Sequence, residues 1–231
     1  MKHIACTSFS PKGYEVYGKK FLETFLEYWP IEIAVFYEGQ KPGIRDSRVF
    51  YYDLLEDDEF TEFQSEYGYF HGKDYRLMAT KFSPKVFAKT SPLRPKCDWW
   101  IWVDADVVTF KKIDERFFQE TCPAGFTGSY LGRTTWHHSE TGFVSYNLNL
   151  GGKEFLEDLR ALYTTGAIFS HKEWHDAWLF DRVREQNENM WFRNLSYEIK
   201  ENHPWGATVL GEYTRHQKGP ELKLREYGEI A

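Results

Sequence analysis

The run Trp99-Trp100-Ile101-Trp102-Val103 stops abruptly at Asp104-Ala105-Asp106. Five apolar residues without polar alternation leave no solvent face, as expected of a strand buried on both sides at the centre of a parallel sheet. Such a strand needs helices over both faces, which points to an α/β protein. Length and composition agree: 231 residues with 42% hydrophobic and 28% charged positions exclude disorder, collagen and coiled coil. The longest apolar runs, such as Ile33 to Tyr37, fall far short of the roughly 20 residues a membrane helix needs, so no membrane span is expected.

Around this strand, the chain alternates. His3 to Thr7 predicts a first strand, closed by the turn-rich Ser8-Phe9-Ser10-Pro11-Lys12-Gly13. Phe21, Leu22, Phe25 and Leu26 recur at helical spacing between Gly18 and Trp29, and Pro30 stops the run. Ile31 to Tyr37 predicts a second strand, so the opening strand, helix and strand favour a right-handed crossover and a parallel pair. Arg48 to Tyr52 reads as a third strand, and Glu56 to Glu59 as a solvated acidic turn or helix start. Asp74 to Lys89 reads as a helix with one basic side (Arg76, Lys81, Lys85, Lys89), kinked at Pro84. Further on, Gly125 to Leu131 and Phe143 to Leu148 predict strands, Glu154 to Tyr163 and Asp176 to Glu185 helices, and the tail from Gly206 irregular structure. With no repeat or linker, one domain over 1–231 is expected.

A formal net charge of -6 gives no global attraction to nucleic acid. Cys6, Cys97 and Cys122 form no CxxC pair and suggest neither a disulfide framework nor a cysteine zinc site. The opening reaches polar residues by Thr7 and Ser8 without the apolar segment of a signal peptide, which predicts a cytoplasmic location.

Asp104 and Asp106 carry the chemistry. Ligands of open α/β sheets bind beyond the carboxyl ends of the strands, where these acids would sit. Two carboxylates at i, i+2 can share a hard divalent cation, or one can take the metal and the other a ribose hydroxyl; they can also cap turn amides. Near the C-terminus, Arg215-His216-Gln217-Lys218-Gly219-Pro220 offers an imidazole, a cation and a glycine. An imidazole ligand suits Mn²⁺ at least as well as Mg²⁺, Lys218 would be a point charge on phosphate, and Gly219 would allow close backbone approach. His171 and His175 have the i, i+4 spacing of a helical zinc site, but Lys172 stands where the protease pattern wants glutamate. The adjacent His137 and His138 would point to opposite faces of an extended chain.

An apolar strand, Asp104-x-Asp106 and a late His216-x-Lys218-Gly219 together resemble glycosyltransferases of the GT-A fold, of the bacterial or bacteriophage type. The resemblance implies a Rossmann-like, mixed and mostly parallel sheet flanked by helices, with a nucleotide-sugar half over about 1–110 and an acceptor half with a metal-binding tail over about 111–231. It implies Asp104, Asp106 and His216 as ligands of Mn²⁺ or Mg²⁺, and Asp104, Lys218 and Gly219 on the donor. It places Thr7, Ser8 and Phe9 at the nucleotide base and ribose, with Arg76 and Lys81 as basic donor-side groups. Glu140-Thr141-Gly142-Phe143 would line the sugar and acceptor pocket, and Trp174-His175-Asp176 resembles the acidic motif from which inverting members draw their base.

The implied activity moves a hexosyl or pentosyl group from a nucleotide-diphosphate sugar, with UDP the expected carrier, to a hydroxyl of a glycan, a lipid-linked glycan or a modified DNA base. Charge builds on the departing diphosphate, which a cation and lysine would stabilise. Asp176 is the first choice to take the acceptor proton and Glu140 the second, although Asp176 could equally cap its helix. Trp136, Trp174, Trp178 and Trp205 could form an acceptor platform. Two other classes share these features: a two-metal nucleotidyltransferase, which predicts triphosphate turnover, and a non-catalytic sugar- or nucleotide-binding module, which predicts binding without consumption.

Overall fold

Two successive crossovers build the first half. Strand β1 (His3–Phe9) runs through a helical turn at Pro11–Gly13, a π-helical turn at Tyr14–Gly18 and helix α1 (Lys19–Tyr28) to strand β2 (Glu32–Tyr37), which lies parallel to it. Phe21, Leu22 and Phe25 form the buried stripe of α1. Strand β3 (Val49–Asp53) pairs parallel with β2. Helix α2 (Asp58–Tyr67) starts at Asp57, whose Oδ1 accepts the Phe60 N–H at 3.1 Å. Helix α3 (Ala79–Thr90) contains Pro84, which leaves the Thr80 carbonyl without its usual helical donor. Gln64 Nε2 at 3.2 Å and Ser83 Oγ at 3.0 Å donate to that carbonyl instead. Strand β4 (Trp99–Val103) then returns parallel to β1. The computed structural model describes residues 1–70, 74–134 and 138–217.

The second half adds strand β5 (Val107–Thr109), helix α4 (Glu115–Thr121), strands β6 (Gly128–Leu131) and β7 (Glu140–Asn147), helices α5 (Gly152–Thr164) and α6 (Asp176–Gln186), and strands β8 (Phe192–Asn194) and β9 (Thr214–His216). The main sheet has the order β3-β2-β1-β4-β7-β6-β8. β7 runs antiparallel to both β4 and β6, and β8 pairs parallel with β6, so β4 stands at the edge of the parallel half of a mixed sheet instead of inside a wholly parallel one. An apolar run reports burial on both faces and carries no information on a neighbour's direction. Trp100 and Trp102 join the core on one face, with residues of α3, α5 and α6, while Trp99, Ile101 and Val103 join the core on the other, with residues of α1 and α4.

β5 and β9 form a separate antiparallel ribbon that pairs Val107 with His216. The stretch from Gly206 is therefore not wholly irregular. A three-residue strand of mixed polarity has no detectable period, and β9 exists through its pairing with β5. That pairing, extended by the Gln217 N–H bond to the Asp106 carbonyl at 3.0 Å, carries His216 to the end of β4. Among the described residues no helix is long and apolar enough to cross a membrane.

Candidate active site

Asp104 and Asp106 follow β4, where the Asp104 N–H donates to the Gly142 carbonyl on β7 at 2.8 Å. The His216 imidazole is buried beside them, with Nε2 3.1 Å from Asp106 Oδ1 and 3.7 Å from Asp104 Oδ2. One ligand atom from each of the three lies within 4.8 Å of the others. Two carboxylate oxygens and one imidazole nitrogen are a fitting donor set for Mn²⁺ or Mg²⁺. Gly142 keeps the cup open: a Cβ there would stand 2.6 Å from His216 Cε1 and 3.2 Å from Asp104 Oδ2. Burial alone would lower the pKa of His216, but Asp106 beside it reverses the effect and raises it.

The other oxygen of Asp104 is already engaged. Trp102 Nε1–H donates to Oδ1 at 2.7 Å, and Lys85 Nζ lies 2.8 Å from it. Lys85 also lies 3.1 Å from Asp176 Oδ2, which takes Lys89 Nζ at 3.3 Å and the Thr141 hydroxyl at 2.7 Å. Burial would raise the Asp176 pKa, but Lys85 and Lys89 outweigh it and hold the carboxyl below the usual range. For Lys85 burial is likewise overcome, by Asp104 and Asp176, and its pKa is raised. For the fully enclosed Lys89 burial wins, and its pKa falls to about 8.

A cavity of about 670 Å³ opens in front of this network, lined among others by Lys81, Lys85, Asp104, Glu140 and Asp176. A smaller one, of about 350 Å³, meets it at Glu140 and His203 and contains Trp205 and His216. Glu140 is 2% exposed, forms a short ion pair with Arg133 and lies 3.7 Å from His203 Nδ1. The structure therefore brings Lys81, Asp104, Asp106, Glu140, Asp176 and His216 together. Arg76 instead turns to Asp74 and Glu173. Thr7 and Phe9 are buried in β1, and Ser8 between them is half-buried. Lys218, Gly219, Trp136 and His137 lie outside the described residues. Trp174 and Trp178 pack against the core and Trp205 is buried.

Sequence reasoning passed over Lys85 as a site residue. Lys81, Lys85 and Lys89 follow one another at i, i+4 on a single helical side, and nothing local distinguishes the middle one. The cap of α6 is His175, not Asp176: its Nδ1 accepts the Trp178 N–H at 3.3 Å. That bond assigns the ring proton to Nε2, which faces Glu173 Oε2 at 2.8 Å. His138, Glu173 and His175 also form a group within ligand distance. The Glu173–His175 bond and the His175 cap make this group a hydrogen-bonded support for α6. His171 precedes α6 outside any α-helix, which removes the helical i, i+4 zinc pairing.

Strand order and helical layers, with acids at the end of β4, make up a mixed α/β fold of the GT-A-like type. Among solved structures, the chain is similar to the apo form of mouse xyloside xylosyltransferase 1, with 12% sequence identity and a TM-score of 0.54 over 84% of this chain and 85% of that one. At that identity the likeness is one of fold. No protein-family model matches the chain, and no curated protein matches it.

Proposed function

We propose that the chain is a metal-dependent glycosyltransferase that moves a hexosyl or pentosyl group from a nucleotide-diphosphate sugar, UDP-linked in the first instance, to an acceptor hydroxyl. The observation that carries this reading is the convergence of Asp104, Asp106, His216 and Lys85, of which Asp104 and Lys85 line a cavity large enough for such a donor. Asp104, Asp106 and His216 hold Mn²⁺ or Mg²⁺, which when bound offsets charge on the departing diphosphate. Lys85 adds a fixed positive charge beside them, and Lys81 a second at the cavity wall. Lys218 and Gly219 keep the diphosphate roles that the resemblance implies.

A carboxylate held ionised by two lysines and a hydroxyl is a weak proton acceptor. Asp176 therefore serves to orient Lys85, and Glu140, itself paired with Arg133 but lining both cavities, is assigned the acceptor proton on position alone. Residues of about 1–110 contribute most of the donor side and those of about 111–231 the acceptor side. The acceptor hydroxyl belongs to a glycan, a lipid-linked glycan or, as the lesser alternative, a modified DNA base.

Calorimetric titration with UDP, with and without Mn²⁺, tests the donor half of this reading, and release of UDP from UDP-sugars tests the reaction. The native chain should bind UDP only with the ion, and Asp106→Asn should abolish binding while leaving the melting temperature near native. Nucleoside triphosphate consumption without UDP binding would instead favour a nucleotidyltransferase, and UDP-sugar binding without turnover a binding module.

A further inference from the structure

A cavity of about 250 Å³ adjoins the candidate active site, between the end of β6 and α6. Arg133, His138 and Ser139 line both spaces. Arg182 and Arg184 complete its basic lining, with the Arg182 guanidinium 4.6 Å from the Trp178 ring centroid and that of Arg184 4.8 Å from the Tyr130 ring centroid. Stacked guanidinium groups cover aromatic faces that a sugar ring would use, and they present N–H groups in their place.

The donors exceed their partners. Ten buried side-chain nitrogen or oxygen atoms have no hydrogen-bond partner among the described residues, and four of them belong to this one lining: Nε of Arg133, Arg182 and Arg184, and Nε1 of Trp178. All four are donors, and a buried donor without an acceptor costs stability. The nearby carboxylates are already engaged. Asp181 accepts the Ser139 N–H at 2.8 Å and hydroxyl at 2.7 Å and lies 3.3 Å from Arg184. Glu185 lies 2.7 Å from Arg182 and 3.6 Å from Arg184, and Glu140 holds Arg133. Formal charge is thus balanced, and the surplus lies in N–H groups, five to each guanidinium. The matching ligand accepts hydrogen bonds without donating them, and phosphate offers more such oxygens than carboxylate.

We infer that this cavity binds a phosphate monoester carried by the acceptor, which anchors that molecule while its hydroxyl reaches the adjoining active site. A compact terminal group suits a cavity of this size better than a diester backbone, and the acidic chain disfavours a polynucleotide. The link to an acceptor rests on the transferase reading; the phosphate site does not.

Calorimetry on the full chain in EDTA tests it, with inorganic phosphate and glycerol 3-phosphate as probes and acetate, glucose and a short oligonucleotide as controls at matched ionic strength. Both phosphates should bind in preference to every control. The double variant R182Q/R184Q should bind them roughly tenfold or more weakly, as expected when charge-assisted hydrogen bonds are lost. UDP binding with Mn²⁺ should be unaffected by the double variant and by saturating phosphate. Asp106→Asn should show the reverse pattern, losing UDP and keeping phosphate. Because Arg184 also supports Asp181, Arg182→Gln alone decides the matter if the double variant does not fold. Phosphate that fails to bind, that binds the arginine variants as it binds the native chain, that competes with UDP, or that is displaced by the oligonucleotide overturns the inference. Arginine-dependent phosphate binding in a chain that ignores UDP and Mn²⁺ would refute the transferase reading, and the acceptor link with it.

Discussion

Gly142→Ala tests the metal cup by filling it. The added methyl carbon would stand 2.6 Å from His216 Cε1, 3.1 Å from Nδ1 and 3.2 Å from Asp104 Oδ2. Carbon atoms pack at about 3.5 Å or more, so the imidazole would have to retreat by about 1 Å. Little allows that retreat: His216 is tied to Val107 through the β5–β9 ribbon, and the Trp205 ring packs on the imidazole with centroids 4.7 Å apart. Overpacking of this kind costs roughly 1–3 kcal/mol. Ligand distances, in contrast, must hold to within about 0.2 Å, so a displacement near 1 Å falls chiefly on ion affinity. The expected loss is roughly tenfold to hundredfold in Mn²⁺ binding, or about 1.4–2.8 kcal/mol. Paramagnetic resonance of free Mn²⁺ measures this directly, and a melting curve on the same sample measures the packing cost. Gly43→Ala is the control, because a Cβ there meets nothing within 4 Å. Native Mn²⁺ affinity in Gly142→Ala would mean that no ion sits among Asp104, Asp106 and His216.

Two further outcomes follow from the electrostatics. Asp106 and Asp104 raise the His216 pKa in the ion-free protein and so favour its imidazolium, which an ion must deprotonate. Mn²⁺ affinity should therefore fall as pH drops through that raised pKa, approaching about tenfold per pH unit below it; a flat profile from pH 8 to 6 would remove His216 from the ligand set. Asp176→Asn would leave Lys85 and the fully buried Lys89 without their shared counter-charge. Breaking such a pair costs roughly 3–5 kcal/mol, readable as a shift of the urea midpoint, and a loss under about 1 kcal/mol would contradict the network.

What could be read in advance was what is local. The buried strand ending at Asp104 is visible because five apolar residues in a row have few other fates, and α1 because Phe21, Leu22, Phe25 and Leu26 keep one helical face. The acids fall at the carboxyl end of that strand by topology alone. The antiparallel partner of β4 and the pairing that creates β9 depend on contacts between distant segments, to which no period in the sequence corresponds. α4 escaped notice for a related reason: over Glu115–Thr121 only Phe117 and Thr121 are buried, too few to set up a repeat. His216 could be named from its residue type and its neighbours, yet its place beside Asp106 comes from the ribbon. Asp176 shows the opposite failure. Its position at the start of a helix suggested either a base or a cap, and both readings left out Lys85 and Lys89, which approach from another helix and set its proton affinity.

The division of labour at Asp104 explains why lysines and carboxylates are interleaved here. Lys89, Asp176, Lys85 and Asp104 alternate in sign from the core to the cavity, so Lys85 is fixed from behind before any donor arrives. Lys85 and Trp102 take Oδ1 of Asp104, which leaves Oδ2 turned toward His216 and the space above Gly142. Above the raised pKa of His216, where its imidazole is neutral, the three carboxylates Asp104, Asp106 and Asp176 against the two lysines leave one net negative charge, which attracts a divalent cation and repels a diphosphate. A bound divalent cation would reverse that sign and leave one net positive charge where the proposed reading puts the diphosphate. The ion and the nucleotide should therefore bind with strong positive coupling, each weak without the other, because the protein charge at this end of the sheet is poised one unit to the negative side.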